Sequence, residues 1–246
     1  MRIRSASVLP ATRRDVAFTT SDGYTLVGEL SLPESGTPEG TLIFFHPLPT
    51  HGGYMDSHLI RKASNRLPAM ANLAVLRLNF RGVTSPRGTS EGSFGEGELE
   101  RFDLEAAIDF AAAQQLPKVW LVGWSFGTEV ILKHALTRQG RFDGVFLLAP
   151  PLHRADDSDL ERWIGRPEPV VALVPEHVDF LKPAEATERF SVIPHAQVIA
   201  AEGAKHLFVG EQYTHLALSE IVKHVNPAAL PLPTEWPEGE HLIAQN

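Results

Sequence analysis

The pentapeptide Gly123-Trp124-Ser125-Phe126-Gly127 constrains this chain more than any other segment. It follows directly on the apolar run Lys118-Val119-Trp120-Leu121-Val122 and opens a helical pattern. A strand, a sharp Gly-x-Ser-x-Gly turn and a helix make a nucleophile elbow, in which the serine is held in a strained conformation. Glycines two residues to either side are required where neighbouring backbone leaves no space for a Cβ. The serine hydroxyl then stands at the carboxyl end of a strand and the amino end of a helix, where peptide dipoles favour developing negative charge. Ser125 is therefore the candidate nucleophile. The competing reading is a glycine-rich strand-to-helix turn with an incidental serine.

The rest of the chain supplies the frame such an elbow needs. Asp15–Thr20 and Tyr24–Ser31 flank Ser21-Asp22-Gly23 and predict a hairpin. Short apolar runs at Thr41–Phe45, Leu73–Leu78, Val119–Val122, Gly144–Leu148, Val170–Val174 and Gln197–Ala200 predict strands, several of them buried on both faces. Helical spacing appears at Ser57–Met70, Leu99–Ala113, Thr128–Leu136 and Gln212–Val225. Strands that alternate with helices predict an α/β fold: an eight-stranded, mostly parallel sheet covered on both faces. No internal repeat or linker divides the 246 residues, so a single domain is expected, with residues 1–13 as an amino-terminal arm and the proline-rich 227–246 as a tail. Arg81–Gly97 reads as a long glycine- and serine-rich loop.

Composition narrows the function. A 43% apolar content is enough for a substantial core. There is no cysteine, which excludes disulfides, thiolate metal sites and a cysteine nucleophile. The formal net charge is −8 and basic residues form no long run, so nucleic acid is not an expected partner. No apolar stretch is long enough for a membrane span, and with no apolar leader the expected location is cytoplasmic. No phosphate-binding or dinucleotide-binding glycine motif is present, and His46, His51 and His58 match no common metal spacing, so neither cofactor nor metal is expected. The oligomeric state is not legible.

A serine hydroxyl needs a base, and the base needs a group that fixes its tautomer. In this type of fold the order along the chain is serine, acid, histidine. His206 follows the strand at Gln197–Ala200 through a glycine-containing loop and is the candidate base; His153 and His177 are alternatives. Asp179, just past the strand at Val170–Val174, is the candidate acid, with Glu176, Asp156, Asp157 and Asp159 as alternatives. Backbone N–H groups of Phe126 and Leu48 would stabilise an oxyanion; in His46-Pro47-Leu48-Pro49 only Leu48 lies between prolines with a donor to offer. His46 is expected to bridge backbone across this loop, and Arg81 to anchor the loops at the carboxyl edge. Phe94, Trp163 and Phe180 are candidate apolar contacts for a substrate.

Taken with Gly52-Gly53-Tyr54-Met55-Asp56, Leu78-Asn79-Phe80-Arg81-Gly82-Val83, Ser90-Glu91-Gly92-Ser93-Phe94, Ala149-Pro150-Pro151 and the Gly203–Phe208 loop, these motifs resemble the α/β-hydrolases, in particular small bacterial serine esterases and dienelactone-hydrolase-like members. The resemblance covers roughly Phe45 to Phe208. It implies Ser125 as nucleophile, His206 as base, Leu48 and Phe126 as oxyanion donors, a minimal lid, and a small-molecule ester or thioester as substrate. Two departures stand out. In many relatives the acid lies three residues past the glycine ending its strand; here Pro175 replaces that glycine, Val178 takes the third place and Asp179 comes one later. Lys205 stands where an acidic residue often precedes the histidine, and pointing inward it would lower the imidazole's proton affinity. The alternative readings are a hydrolase scaffold retained as a binding module, and a peptidase, amidase or lipase.

Overall fold

The computed structural model describes residues 2–34, 36–237 and, for the backbone, 242–243. Eight strands form one sheet: β1 (Thr12–Thr19), β2 (Thr25–Leu32), β3 (Gly40–Phe45), β4 (Leu73–Leu78), β5 (Val119–Trp124), β6 (Gly144–Leu148), β7 (Val170–His177) and β8 (Gln197–Lys205). Their order is β8-β7-β6-β5-β3-β4-β2-β1. β1–β2 and β2–β4 are antiparallel; every other neighbouring pair is parallel. The mostly parallel eight-stranded sheet expected from the sequence is therefore present.

Alternation along the central strands divides the core. Ile43 and Phe45 of β3 face one side with Leu76 and Leu78 of β4, whereas Leu42 and Phe44 face the other with Leu73 and Val75. Helices α1 (His58–Ala71) and α6 (Glu211–Val225) cover the second side. The first side is covered by α2 (Glu100–Ala113), α3 (Phe126–His134), the five-residue α4 (Asp157–Glu161) and α5 (Pro183–Phe190). Burying each of Leu59, Ile60 and Leu67 of α1 contributes roughly 1.5–3 kcal/mol. Between β6 and β7 the only helix is α4, so the site has a minimal lid.

Arg81 fixes the carboxyl edge. Its guanidinium, 1% exposed, donates to Asp103 of α2 at 2.8 and 2.9 Å and to Asp22 of the β1–β2 turn at 3.0 and 3.2 Å. The Arg81 N–H also donates to Asp103 at 2.8 Å. Burial pushes the Asp103 carboxyl up to about 6 even beside Arg81. The expected long loop from Arg81 to Gly97 thus starts from a rigid tie and contains a small hairpin, Thr84–Ser85 with Gly88–Thr89.

The arm and the tail meet. Ser7–Val8 pairs with Leu242–Ile243, the Ile3 N–H donates to Thr234 O, and Leu232 is buried. Of the expected tail, residues 238–241 and 244–246 lie outside the described residues.

Candidate active site

Ser125 occupies the corner between β5 and α3 with φ 52° and ψ −115°. A non-glycine residue held there costs on the order of 1–3 kcal/mol, so the surroundings must impose it. They do. The Ser125 N–H donates to Leu148 O of β6 at 2.8 Å, and its carbonyl accepts from the N–H and hydroxyl of Thr128 at 2.9 and 2.6 Å. A Cβ on Gly127 would lie 2.1 Å from Phe45 O, and one on Gly123 would lie 2.6 Å from Gly127 C. Both flanking glycines are present because backbone crosses backbone at this corner.

The Ser125 hydroxyl lies 3.0 Å from His206 Nε2. When Nε2 accepts, Nδ1 carries the imidazole proton. Two side chains hold the backbone around this base. Trp124 Nε1–H donates to His206 O at 3.3 Å, and His58 Nε2–H donates to Leu207 O at 2.7 Å. The His58 and Trp124 rings meet edge to face at 5.4 Å, so the two clamps brace each other. Phe208, fully buried with φ 49°, closes the turn. Neither clamp is evident in the sequence, because each acts between segments far apart along the chain.

The oxyanion loop is similarly fixed. His46 is fully buried; its Nδ1–H donates to Pro47 O at 2.7 Å and its Nε2 accepts the Phe80 N–H at 3.1 Å. Burial pushes its pKa down to about 4, so the ring is neutral, as this pattern of one donor and one acceptor requires. The Pro47 carbonyl and the Leu48 N–H belong to one planar peptide and point in opposite directions. By holding the carbonyl, His46 therefore sets the direction of the Leu48 N–H. No hydrogen bond among the described residues engages that N–H, and the Phe126 N–H, in the first turn of α3, has no acceptor within its helix.

The third member of the constellation is not assembled. His206 Nδ1 is buried without a hydrogen-bond partner. Asp179 is exposed and reaches the ring only through its field, which raises the imidazole's proton affinity. Burial, followed by the field of His153, lowers it more, and the net pKa lies below 6.5. Lys205 points outward and takes no part in this shift, contrary to the effect an inward lysine would have. The alternative acids are engaged elsewhere. Glu176 accepts the Gly203 N–H at 2.7 Å, Asp156 caps α4 with Asp159 completing the capping box, and Asp157 pairs with Arg189 at 2.8 Å.

Phe180, 48% exposed, stands edge-on between the rings of His206 (5.2 Å) and His153 (4.9 Å). His153 is thus linked to the base through Phe180, while His177 is exposed and sits beside Glu176. Phe94 is half-buried against the Phe126 ring at 5.5 Å. Phe180 thus borders the imidazole of the base, and Phe94 borders the ring of Phe126. Trp163 borders neither, and the expectation for it is corrected. It is fully buried, its indole N–H donates to Leu132 O at 3.0 Å, and it packs near Phe142. The turn that follows the short α4 sets it against α3 as a core residue.

A cavity of about 940 Å³ lies against the segments that carry this constellation, although Leu48, Ser125, Phe126 and His206 are not among its wall residues. Its walls include Pro47, Trp124 and Leu207, the chain neighbours of Leu48, Ser125 and His206, together with His58. No helix among the described residues is long and apolar enough to cross a membrane.

Solved structures share this architecture. An a/b serine hydrolase without lid from Xanthomonas campestris is 25% identical, with a TM-score of 0.69 over 92% of this chain and 99% of the other. An alpha-beta serine hydrolase homologue from Coxiella burnetii is 22% identical, with a TM-score of 0.69 over 87% of this chain and 96% of the other. A Pyrococcus furiosus esterase, 18% identical, gives 0.68 over 87% and 93%. The latter two are likenesses of fold. Among curated proteins, an uncharacterized protein of Rickettsia prowazekii is 31% identical over 124 residues, 48% of this chain, and the match spans about half (49%) of that protein's length. The sequence profile of the Alpha/beta hydrolase family matches residues 42–242. That span runs from β3 to the tail and takes in Leu48, the elbow at Ser125 and the His206 loop, and by this match the chain belongs to the alpha/beta hydrolase family.

Proposed function

We propose that this chain hydrolyses small carboxylic esters, or related thioesters, through an acyl-enzyme. The observation that carries the reading is the 3.0 Å approach of Ser125 Oγ to His206 Nε2 at a backbone corner where serine is strained. Ser125 Oγ attacks the substrate carbonyl while His206 Nε2 takes the hydroxyl proton. The resulting oxyanion is held by the Leu48 and Phe126 N–H groups. His206 then protonates the leaving alcohol or thiol, and water, activated by the same imidazole, releases the acid. As the imidazole becomes charged, its Nδ1–H needs an acceptor, and a buried donor left without one costs about 1–3 kcal/mol. Asp179 is the carboxylate whose charge already acts on the ring, and we assign it the orienting role, taken up by a turn of the Val178–Phe180 segment.

The unpartnered Nδ1 also supports a second reading, a hydrolase scaffold used only for binding. The strained serine weighs against it, since a binding surface has no use for that conformation. Turnover of a short p-nitrophenyl ester separates the two. The enzyme reading expects a burst of p-nitrophenol equal to the protein present, followed by steady release, both lost in Ser125→Ala. A folded wild-type protein that releases no more product than Ser125→Ala refutes it.

A further inference from the structure

The cavity walled by Trp124 and Leu207 carries, among the described residues, more positive charge than its surroundings neutralise. Arg13, Arg61, Arg77 and Arg87 all line it, whereas Asp56 is its only acidic wall residue among those described. Arg77 is matched by Glu29 at 2.8 Å and by Asp56, and Arg87 by Glu29 at 2.5 Å and by Asp15. Among the described residues four guanidiniums thus meet three carboxylates, and one of these, Asp15, is itself largely in solvent. Neither Arg13 nor Arg61 has a carboxylate within 4.0 Å among the described residues.

The two surplus arginines differ in what they offer. Arg13 is spent on carbonyls: its Nη2 donates to Leu9 O at 2.9 Å and Asn65 O at 3.2 Å, and its Nε is buried without a partner. Glu29 and Glu34 act on it only through space. It supplies charge to the wall rather than a free fork. Arg61, in the first turn of α1, is half-buried with no side-chain hydrogen bond or ion pair among the described residues, so its planar fork is available. Its field is felt by His58, which holds Leu207 O, one residue from the base. In a chain of formal net charge −8, a cavity with an unmatched, partly buried guanidinium at this position is a local reversal of sign. A guanidinium fork matches a carboxylate or phosphate in geometry and charge.

We propose that this cavity is an anion subsite: Arg61 binds, and Arg13 supports by its field, a carboxylate or phosphate carried on one half of the ester. The inference rests on the reaction proposed above, because it names the substrates of that reaction; binding to the Ser125→Ala protein tests it without turnover. Calorimetry compares monomethyl adipate, which keeps one carboxylate, with dimethyl adipate, which keeps none. The monoester should bind about tenfold more tightly, the scale of one charge-assisted contact, and the preference should shrink as salt rises. Adding Arg61→Gln should remove the preference, Arg61→Lys should restore part of it, and Arg141→Gln, at a remote exposed site, should keep it. Competition by glutarate identifies a carboxylate as the natural group, and competition by inorganic phosphate identifies a phosphate.

Equal binding of the two esters, or a preference that survives Arg61→Gln in a protein of unchanged melting temperature, overturns the anion subsite whether or not the wild type cleaves esters. A preference that depends on Arg61, in a protein that cleaves no ester, leaves the subsite standing and refutes the reaction instead.

Discussion

Replacing Leu48 by proline deletes one backbone donor and trims a half-buried side chain that packs against the core. Leu48 sits at φ −52°, close to the angle a proline ring imposes, so the substitution asks little of the backbone at this residue. Its N–H makes no hydrogen bond among the described residues, so none is lost from the fold. Its carbonyl still accepts from the His51 and Gly53 N–H groups, both at 3.0 Å, and His46 still holds Pro47 O. What disappears is one of the donors assigned to the oxyanion. Losing such a donor costs ~10²–10³ in turnover, or about 2.7–4 kcal/mol in the transition state. The ring also places Cδ where the N–H pointed, so the loss should fall at the upper end of this range. The assay is steady-state hydrolysis of a short p-nitrophenyl ester, with thermal melting to verify the fold. Leu48→Ala is the control, since it trims the side chain but keeps the donor, and it should lose less than about tenfold. A folded Leu48→Pro protein within about threefold of wild type would show that the oxyanion is held elsewhere.

Further outcomes follow from two imidazoles, the half-buried His206 and the fully buried His46. His206 must be neutral to act as base, so kcat/KM should fall with decreasing pH along a limb below 6.5, its ordinary value. Asp179→Asn removes the charge that raises the imidazole's proton affinity, which moves this limb lower, and turnover should drop ~10²–10⁴-fold; His153→Gln should move the limb higher. Near-wild-type turnover in Asp179→Asn would refute the acid assignment, and Glu176→Gln, which keeps an oxygen to accept the Gly203 N–H and loses only its charge, should retain activity. His46 is neutral in the fold down to about pH 4 but takes up a proton near 6.5 when unfolded. The unfolded chain therefore binds more protons in this window, and the contribution of His46 is complete above pH 6.5 and declines below it. The slope is about 1.4 kcal/mol per pH unit, or roughly 2 kcal/mol by pH 5. Urea unfolding at pH 7 and pH 5 should show this loss in wild type and less of it in His46→Gln; equal losses would contradict the buried neutral ring.

The parts of the site that could be read from the sequence are those fixed by local chemistry. Gly123 and Gly127 flag the elbow because no Cβ fits there, and Pro47 and Pro49 single out Leu48 by having no N–H. Apolar runs such as Thr41–Phe45 disclose strands buried on both faces. What escaped depends on contacts between distant segments. β7 does not stop at Val174; it continues through Pro175 to His177, where its register against β8 shifts and accommodates the missing proline donor. β8 likewise runs on to Lys205, opposite His177. The loops carrying the acid and the base are therefore shorter than expected. Just past the strand's end Val178 takes the buried place while Asp179 is exposed. Helix α5 leaves little trace in the sequence because Pro183–Phe190 is only eight residues long and buries only Ala186 and Phe190. A tryptophan near a carboxyl-edge loop reads alike whether it lines a pocket or plugs a core; for Trp163 the carbonyl of Leu132 decides it.

The central claim is that Ser125 is a nucleophile activated by His206. Intact-mass and peptide mapping after treatment with a fluorophosphonate probe tests it most directly. The account predicts one adduct per chain, on the peptide containing Ser125, absent in Ser125→Ala and greatly slowed in folded His206→Ala. A folded wild-type protein that takes up no probe, or that carries the adduct on another residue, would contradict it.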